Sequence, residues 1–175
     1  DRIDSFNPSG ITLESGKALE ADIVVTATGL KIEFLQGCKI SIDDAAIDIA
    51  DSHCYKGMML SGLPNFVFSM GYTNASWTLK SDLVGEYLCR ILRHMDKKQH
   101  DYFTPTLPEA PLDDEPFIDF SSGYVARAQK LMPKQASQKP WKLYQNYILD
   151  RITLGRASVD DACMKFHSLD VNPLK

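Results

Sequence analysis

The sequence lacks the glycine-rich turns that cradle phosphate groups in nucleotide-binding proteins. Neither a Gly-x-Gly-x-x-Gly turn nor a P-loop occurs among its 175 residues. Its four cysteines form no Cys-x-x-Cys pair, and no apolar run approaches the roughly 20 residues that span a bilayer. These absences exclude a phosphate-binding turn of either kind, a zinc-finger or thioredoxin-like motif, and a segment typical of a transmembrane helix.

The chain also has no excess of basic residues. Its net charge is −4, with 44% apolar and 24% charged residues, which is typical of a globular protein and indicates neither nucleic-acid binding nor membrane association. The cysteines, at positions 38, 54, 89 and 163, are widely spaced, which favours free thiols and a cytoplasmic location. Because the first residue is Asp1 rather than Met, we interpret the chain as a fragment of a longer protein.

Short strands are predicted in the first third of the sequence. Residues 11–14 alternate between apolar and polar, 15–17 supply turn residues, and 21–27 form a nearly continuous apolar run, which together predict a hairpin. The apolar run fits a strand that is buried on both faces, as in a parallel sheet. Two further alternating stretches, 39–42 and 46–50, flank an acidic loop and predict short strands.

The most informative stretch of the sequence is a predicted strand, loop and helix. An apolar strand is predicted at 66–70, ends at Gly71 and is followed by a small polar loop. Apolar residues then recur every three or four positions over 77–95, which predicts an amphipathic helix. Gly85 within this helix suggests a close backbone contact. Such an arrangement presents backbone N–H groups to an anion or to an electron-rich ring.

Charge divides the second half of the sequence into two segments. Residues 101–120 contain four prolines and six acidic residues but no Lys or Arg, which indicates an extended surface linker. Residues 121–156 are basic and predict helices at 122–131 and 141–154, and a further short helix is predicted at 159–166. The basic segment could bind phosphate or membrane lipid, but we favour a solvated face that pairs with the acidic linker.

The loop after Gly71 holds the best candidate binding residues. Asn74, Ser76 and Thr78 have hydrogen-bonding side chains that could cap the helix, and its N–H groups could alternatively serve a ligand. Trp77 could stack on a ring or belong to the core.

Other chemistry-bearing residues are weaker candidates. His53 and Cys54 are adjacent, which rarely gives base-to-nucleophile geometry, and no third orienting group is apparent. His94 and His100 have no His or carboxylate partner four residues on. We therefore predict neither a catalytic residue nor a metal site within the chain.

Three stretches carry a family resemblance. The first reads Glu-Ala-Asp-Ile-Val-Val-Thr-Ala-Thr-Gly-Leu at 20–30, and the second runs from Met58 to Leu88. The third combines Phe-Ser-Ser-Gly-Tyr-Val-Ala-Arg-Ala at 120–128 with Gln-Lys-Pro-Trp-Lys-Leu-Tyr-Gln-Asn-Tyr at 138–147. Together they resemble the C-terminal part of flavin-containing monooxygenases of the Baeyer–Villiger type, close to the ethionamide-activating branch.

The resemblance implies an α/β fold. The chain would be a fragment of a two-dinucleotide-binding-domain flavoprotein, here a few strands plus a helix-rich C-terminal tail. Residues 1–30 would end the NADPH-binding domain, and residues 31–98 would form the C-terminal part of the FAD-binding domain. Residues 99–120 would be the linker and 121–175 the helical tail.

The implied cofactors are FAD and NADPH. In this family the phosphate-binding turns and the catalytic arginine lie upstream of the position of Asp1, so we expect the isolated chain to be inactive and not to hold either cofactor. The resemblance places the following residues near the flavin: Thr28, Gly29, Asn74, Ala75, Ser76, Trp77 and Thr78. Thr28 and Gly29 follow the buried-type strand, where a glycine can take a positive φ and turn the chain sharply. A simple strand-ending turn is the alternative at this position.

The implied reaction inserts one oxygen atom from O2 into a ketone or adds it to a soft nitrogen or sulfur centre. A flavin monooxygenase restricted to nitrogen and sulfur is one alternative, and a non-catalytic structural or interaction domain is another. Because residues 23–27 would need a covering sheet, we also expect self-association or disorder near residues 1–30.

Overall fold

The computed structural model describes residues 1–119 and 122–169. Residues 120–121 and 170–175, which belong to the predicted linker and tail, lie outside the described residues. The chain divides into two compact units, Asp1–Lys31 and Ile32–Lys175. The described part is a mixed α/β structure with three α-helices and several small antiparallel sheets, and none of its helices is both long and apolar enough to cross a bilayer.

The first unit is a three-stranded antiparallel sheet. Its strands are β1 (Ile3–Asn7), β2 (Gly10–Leu13) and β3 (Ala18–Glu20), and they lie in sequence order. The predicted turn at 15–17 joins β2 to β3, which confirms the turn and the first strand of the predicted hairpin.

The predicted strand at 21–27 is wrong. These residues form no strand, and the side chains of Ile23 and Val25 are each 81% exposed. A strand buried on both faces needs a neighbouring strand on each side and a covering layer. The sheet of this unit ends at β3, so the apolar run has no ladder to join.

The second unit opens with a confirmed hairpin. Its strands, β4 (Ile40–Ile42) and β5 (Ala45–Ile47), pair antiparallel. Asp43 and Asp44 form the turn with positive φ values of 48° and 64°, a conformation that Asp tolerates better than most residues. A turn at Phe34–Gly37, in which Leu35 and Gln36 have positive φ values of 49° and 55°, precedes the hairpin, and a short 3-10 helix follows it at Ile49–Asp51.

The strand predicted at 66–70 is wrong, and a hairpin that was not predicted lies just before it in the sequence. The hairpin consists of two short buried strands, β6 (Cys54–Tyr55) and β7 (Met59–Leu60). Residues 66–70 run beside it without joining a ladder, although the Phe68 N–H donates to the Met58 carbonyl at 2.8 Å. The strand prediction failed because a strand needs a series of backbone hydrogen bonds to its neighbour, and this segment has one such bond to the hairpin.

The long helix α1 (Trp77–Lys98) confirms the predicted helix at 77–95. Its buried stripe contains Leu83, Val84, Tyr87, Ile91 and Met95, which recur at three- and four-residue spacing. The helix ends where Gln99 adopts the left-handed conformation, with φ 56°. The close contact expected at Gly85 is absent, because a Cβ built there meets no described atom within 4 Å.

The acidic segment predicted as a linker contributes two strands. β8 (Tyr102–Pro105) pairs with β11 (Met164–His167), and β9 (Asp114–Pro116) pairs with β10 (Lys134–Ala136). Residues 101–119 are therefore tied into sheets by strands that follow much later in the sequence. The helix predicted at 159–166 is wrong, because β11 occupies its end.

Two of the predicted C-terminal helices are present. α2 (Gly123–Ala128) continues into a 3-10 turn at Gln129–Leu131, which confirms the helix predicted at 122–131. α3 (Tyr147–Arg156) begins six residues later than predicted. Trp141, the first residue of the predicted helix, lies outside α3 and is 1% exposed, while Ile148 within α3 is 68% exposed.

Two apolar clusters form the core of the second unit. One packs the stripe of α1 against Tyr55, Met59 and Trp141. The other centres on Phe34, whose ring meets Phe68 and Phe117 edge-on at centroid distances of 5.4 and 5.3 Å. The start of α1 and the loop before it are thereby attached to a packed core.

Candidate functional site

The loop from Gly71 to Thr78 changes from buried to exposed along its length. Gly71 and Tyr72 are buried, whereas residues 73–78 are exposed, and Trp77 is 62% exposed. A Cβ built on Gly71 would lie 2.1 Å from Trp77 Cγ and 2.5 Å from Trp77 Cα. Only glycine fits at this position, because a side chain there would displace the first residue of the helix.

The first turn of α1 carries no side-chain cap from the residue that precedes it. Ser76 occupies the N-cap position, but its hydroxyl bonds to the Thr78 hydroxyl at 2.8 Å instead of to a backbone N–H. The first turn also contains no acidic residue. The capping role considered for Ser76 is therefore wrong, and the positive end of the helix dipole faces solvent without a neutralising group on this turn.

The loop is held by the segment that precedes α3. The side-chain oxygen of Gln145 accepts the Thr73 N–H at 3.0 Å and the Thr73 hydroxyl at 3.2 Å. The Asn74 amide donates to the Gln145 carbonyl at 3.3 Å, so Asn74 fixes the loop and does not cap the helix. Residues more than 70 positions apart thus set the shape of the loop.

A buried ion pair is connected to the loop through Tyr72. Lys80 Nζ lies 2.8 Å from Asp150 Oδ2, and the side chains are 7% and 8% exposed. The Tyr72 hydroxyl donates to the same carboxylate oxygen at 2.8 Å, and burial, followed by this bond, raises the pKa of Tyr72. The sequence contains one sign of this pair, because Lys80 falls on the apolar stripe three residues before Leu83.

An apolar groove of about 770 Å³ adjoins the loop. Aromatic and thioether side chains form much of its wall, among them Phe34, Phe66, Phe68, Met70, Trp77 and Met132. Trp77 both lines the groove and is the first residue of α1, so the groove lies next to the exposed N-terminus of this helix. Its volume lies within the roughly 300–1,000 Å³ of small-molecule sites.

The predicted site residues fall in two different units. Asn74, Ala75, Ser76, Trp77 and Thr78 lie together at the start of α1 in the second unit. Thr28 and Gly29 lie in the first unit and are exposed, and Gly29 has φ 82°, the positive value that a sharp turn requires.

The histidines and Cys54 have structural partners. His53 Nε2 lies 2.8 Å from Asp114 Oδ1, an orienting carboxylate that sequence inspection missed because it is 61 residues away. Cys54 is completely buried, and burial raises the pKa of its thiol to about 12, so it is not a nucleophile. His94 and His100 both pack against the Phe166 ring. The described residues contain no cluster of three or more side chains suited to a metal ion.

Comparison with known proteins identifies close relatives. The chain is 45% identical over 166 residues to the FAD-containing monooxygenase EthA of Mycobacterium tuberculosis and 43% identical over 166 residues to the protein of that name in Mycolicibacterium smegmatis. It is 46% identical over 167 residues to a protein of Acinetobacter baylyi named Probable FAD-binding monooxygenase AlmA. Each match covers 95% of this chain and 34% of the relative, so the chain spans about a third of their length. No family model and no solved structure matches the chain.

Proposed function

Because this chain is homologous to FAD-containing monooxygenases over 95% of its length, we propose that it forms part of an FAD- and NADPH-dependent monooxygenase and supplies one wall of the flavin site. The proposed reaction transfers one oxygen atom from O2 to a ketone, as a Baeyer–Villiger oxidation, or to a soft nitrogen or sulfur atom. The observation that carries the assignment to this wall is the uncapped start of α1 at Ser76, beside an apolar groove.

The residues at the start of α1 fit the ring system of a flavin. Trp77 offers an exposed aromatic face, and the groove beside it is lined mostly by apolar side chains. The uncapped first turn offers backbone N–H groups to the electron-rich edge of the ring. We therefore assign ring contacts to the segment from Asn74 to Thr78.

The flavin supplies the oxygen-transfer chemistry when it is bound, and the protein supplies position and electrostatics. The positive end of α1 would stabilise the negative charge that a bound flavin would carry on its pyrimidine ring when reduced. The groove would keep water from the ring, and Gly71 lets the loop approach the helix closely. In this proposal the described residues bind and orient the cofactor and do not exchange protons with substrate.

The phosphate groups of FAD and NADPH need partners that this sequence does not provide. It contains no Gly-x-Gly-x-x-Gly turn, so we expect the purified 175-residue chain to be colourless and unable to oxidise NADPH. Thr28 and Gly29 are proposed to lie near the flavin in the whole enzyme. All four cysteines are free, which supports a reducing compartment such as the cytoplasm.

A chimera tests the proposal directly. This chain replaces the matching third of the Mycobacterium tuberculosis relative, and the purified protein is assayed for bound FAD, NADPH oxidation and oxygen transfer to a cyclic ketone or to a thioether. Stoichiometric yellow flavin and NADPH-dependent product are expected. A chimera that is folded and monodisperse but colourless would refute the proposal. The two substrates distinguish ketone from heteroatom chemistry.

A variant at Ser76 tests the role of the helix start. In the chimera, Ser76→Asp places a carboxylate where the reduced flavin would carry negative charge, so the flavin midpoint potential should fall. Ser76→Asn, of nearly the same size but neutral, is the matched control and should leave the potential close to that of the parent. Equal potentials in the two variants would show that α1 does not point at the flavin.

A further inference from the structure

A second cavity lies between α3 and the segments on either side of it. Its volume is about 430 Å³, and it shares no lining residue with the groove beside Gly71–Thr78. Apolar atoms form most of the surface of its wall, and Pro140, Leu154, Ala157 and Ala162 are among the residues that line it. Three lysines and two aspartates also line it, and the balance of those charges indicates what the cavity would bind.

Both carboxylates in the wall already have partners. Asp150 Oδ2 accepts the Tyr72 hydroxyl and pairs with the Lys80 ammonium, each at 2.8 Å. Asp161 Oδ2 accepts the Tyr55 hydroxyl at 2.6 Å and the Lys56 ammonium at 2.7 Å. Neither aspartate is available to neutralise a further cation.

Two lysines in the wall are not neutralised in this way. Within the described residues, Lys139 and Lys142 form no ion pair, and Lys139 Nζ lies 5.9 Å from the centre of the Tyr144 ring. Lys142 is half-buried and acts electrostatically on Asp113, whose carboxylate already accepts the Ser137 N–H at 3.2 Å.

The lysines give this part of an acidic protein an excess of positive charge. Three lysines and two aspartates line the cavity, and Lys80 is paired with one of these aspartates, Asp150. The region therefore has four ammonium groups and two carboxylates, whereas the whole chain has a net charge of −4. A concave positive surface in a negative protein concentrates small anions. Inorganic phosphate would satisfy the lysines but leave the apolar wall exposed to water.

We propose that this cavity binds a small amphiphilic anion, a molecule with an apolar body and one carboxylate. The body would lie against Leu154 and Ala157, and the carboxylate would lie between the ammonium groups of Lys139 and Lys142. The cavity volume falls within the roughly 300–1,000 Å³ of sites that enclose small ligands. The site is separate from the proposed flavin wall and does not depend on that proposal.

Octanoate is a suitable probe, titrated by calorimetry into the 175-residue chain at low salt. We expect saturable binding of one molecule per chain. Octanol, which has the body without the charge, and inorganic phosphate, which has the charge without the body, should each bind at least tenfold more weakly. Failure to saturate, or equal binding of either comparison compound, would overturn the proposal.

Variants locate the site within the chain. The double variant Lys139→Gln/Lys142→Gln should weaken octanoate binding at least tenfold. Lys130→Gln removes an exposed charge from the same basic segment without touching the cavity and should bind as the parent does. Ala157→Leu fills part of the cavity without changing charge and should also block binding. Unchanged affinity in both the double lysine variant and Ala157→Leu, with circular dichroism confirming their fold, would place octanoate elsewhere.

Discussion

A methyl group on Gly71 would lie 2.5 Å from the Cα of Trp77, closer than non-bonded carbon atoms approach. The chain therefore turns against the first residue of α1 with no space for a side chain. The same contact holds the exposed indole of Trp77 beside the apolar groove. Gly71 fixes where the helix starts and where its first N–H groups lie.

Replacing Gly71 with alanine should destabilise the protein. The added methyl group must push the helix start away, and overpacking of this kind costs about 1–3 kcal/mol. Urea denaturation measures the change in the free energy of unfolding. Gly85→Ala is the matched control in the same helix, since its new Cβ meets no described atom within 4 Å. It should stabilise the protein by about 0.5–1 kcal/mol. Similar effects of the two substitutions would contradict the contact.

Replacing Asp150 with asparagine should be among the most damaging polar substitutions. It leaves the Lys80 ammonium buried without its counter-charge, which costs about 3–5 kcal/mol. Tyr72→Phe removes only one hydrogen bond to the same oxygen and should cost about 1 kcal/mol. The two free energies of unfolding, from urea titrations at pH 7, should differ by more than their errors. Equal losses of unfolding free energy in the two variants would mean that the charge of Asp150 is not its main contribution to stability.

The contacts of Asp114 should contribute to stability only above acidic pH. Lys134 first, and then His53, lower the pKa of the Asp114 carboxyl. A lowered folded-state pKa gives stabilisation that is complete above the unfolded carboxyl pKa of about 3.9 and is lost as pH falls through the folded value. Asp114→Asn should therefore destabilise the protein at pH 7, by less than about 1 kcal/mol because the side chain is half exposed.

At a pH well below 3, the free energies of unfolding of parent and Asp114→Asn should converge. Lys134→Gln removes the main partner of Asp114, 2.6 Å away, and should show the same convergence. A difference between parent and Asp114→Asn that is independent of pH would exclude this ion pair as its cause.

The four thiols should differ in reactivity. Cys38 and Cys89 are exposed and should react rapidly with a chromogenic disulfide reagent at pH 8. Burial raises the pKa of Cys54 to about 12, so its thiol stays protonated and should react only after unfolding. Cys163, partly buried and with a raised pKa, should react at an intermediate rate. Cys89→Ser should remove one fast phase, and rapid labelling of Cys54 in the native protein would contradict its burial.

Local sequence signals predicted α1 and the β4–β5 hairpin well. Both depend on residues within a few positions of one another: the three- and four-residue spacing of Leu83, Tyr87 and Ile91, and the alternation around Asp43 and Asp44. Such patterns need no knowledge of distant residues, which is why these elements were identified correctly.

Elements that depend on distant partners were predicted poorly. The apolar run at 21–27 suggested a buried strand but has no neighbouring strand. A helix was predicted at 159–166, but residues 164–167 pair with β8, about 60 positions earlier. Trp141 falls in the helix predicted at 141–154, yet it lies before α3 and its ring packs edge-on against Tyr55, with the centroids 5.5 Å apart. Propensity gives way to tertiary packing in the last two cases.

The candidate site was predicted in part. The loop after Gly71 was recognised from its small polar residues and the helix that follows it. Its supports, Gln145 and Asp150, were not recognised, because nothing in the local sequence links them to Tyr72 or Lys80. The charge of Lys80 on an apolar stripe was the one local sign that a buried counter-charge must exist.

The bonds from Asp150 and Gln145 also determine when the start of α1 can fold during synthesis of the protein. Helix α1 leaves the ribosome some 50 residues before either partner, so its Lys80 begins as a solvated charge beside a loop with no support. Chains assemble from their N-terminus as they are made, at about 5–20 residues per second. The start of α1 can therefore take its final form only seconds later, and a message truncated before the codon for Gln145 would yield the helix without a shaped loop.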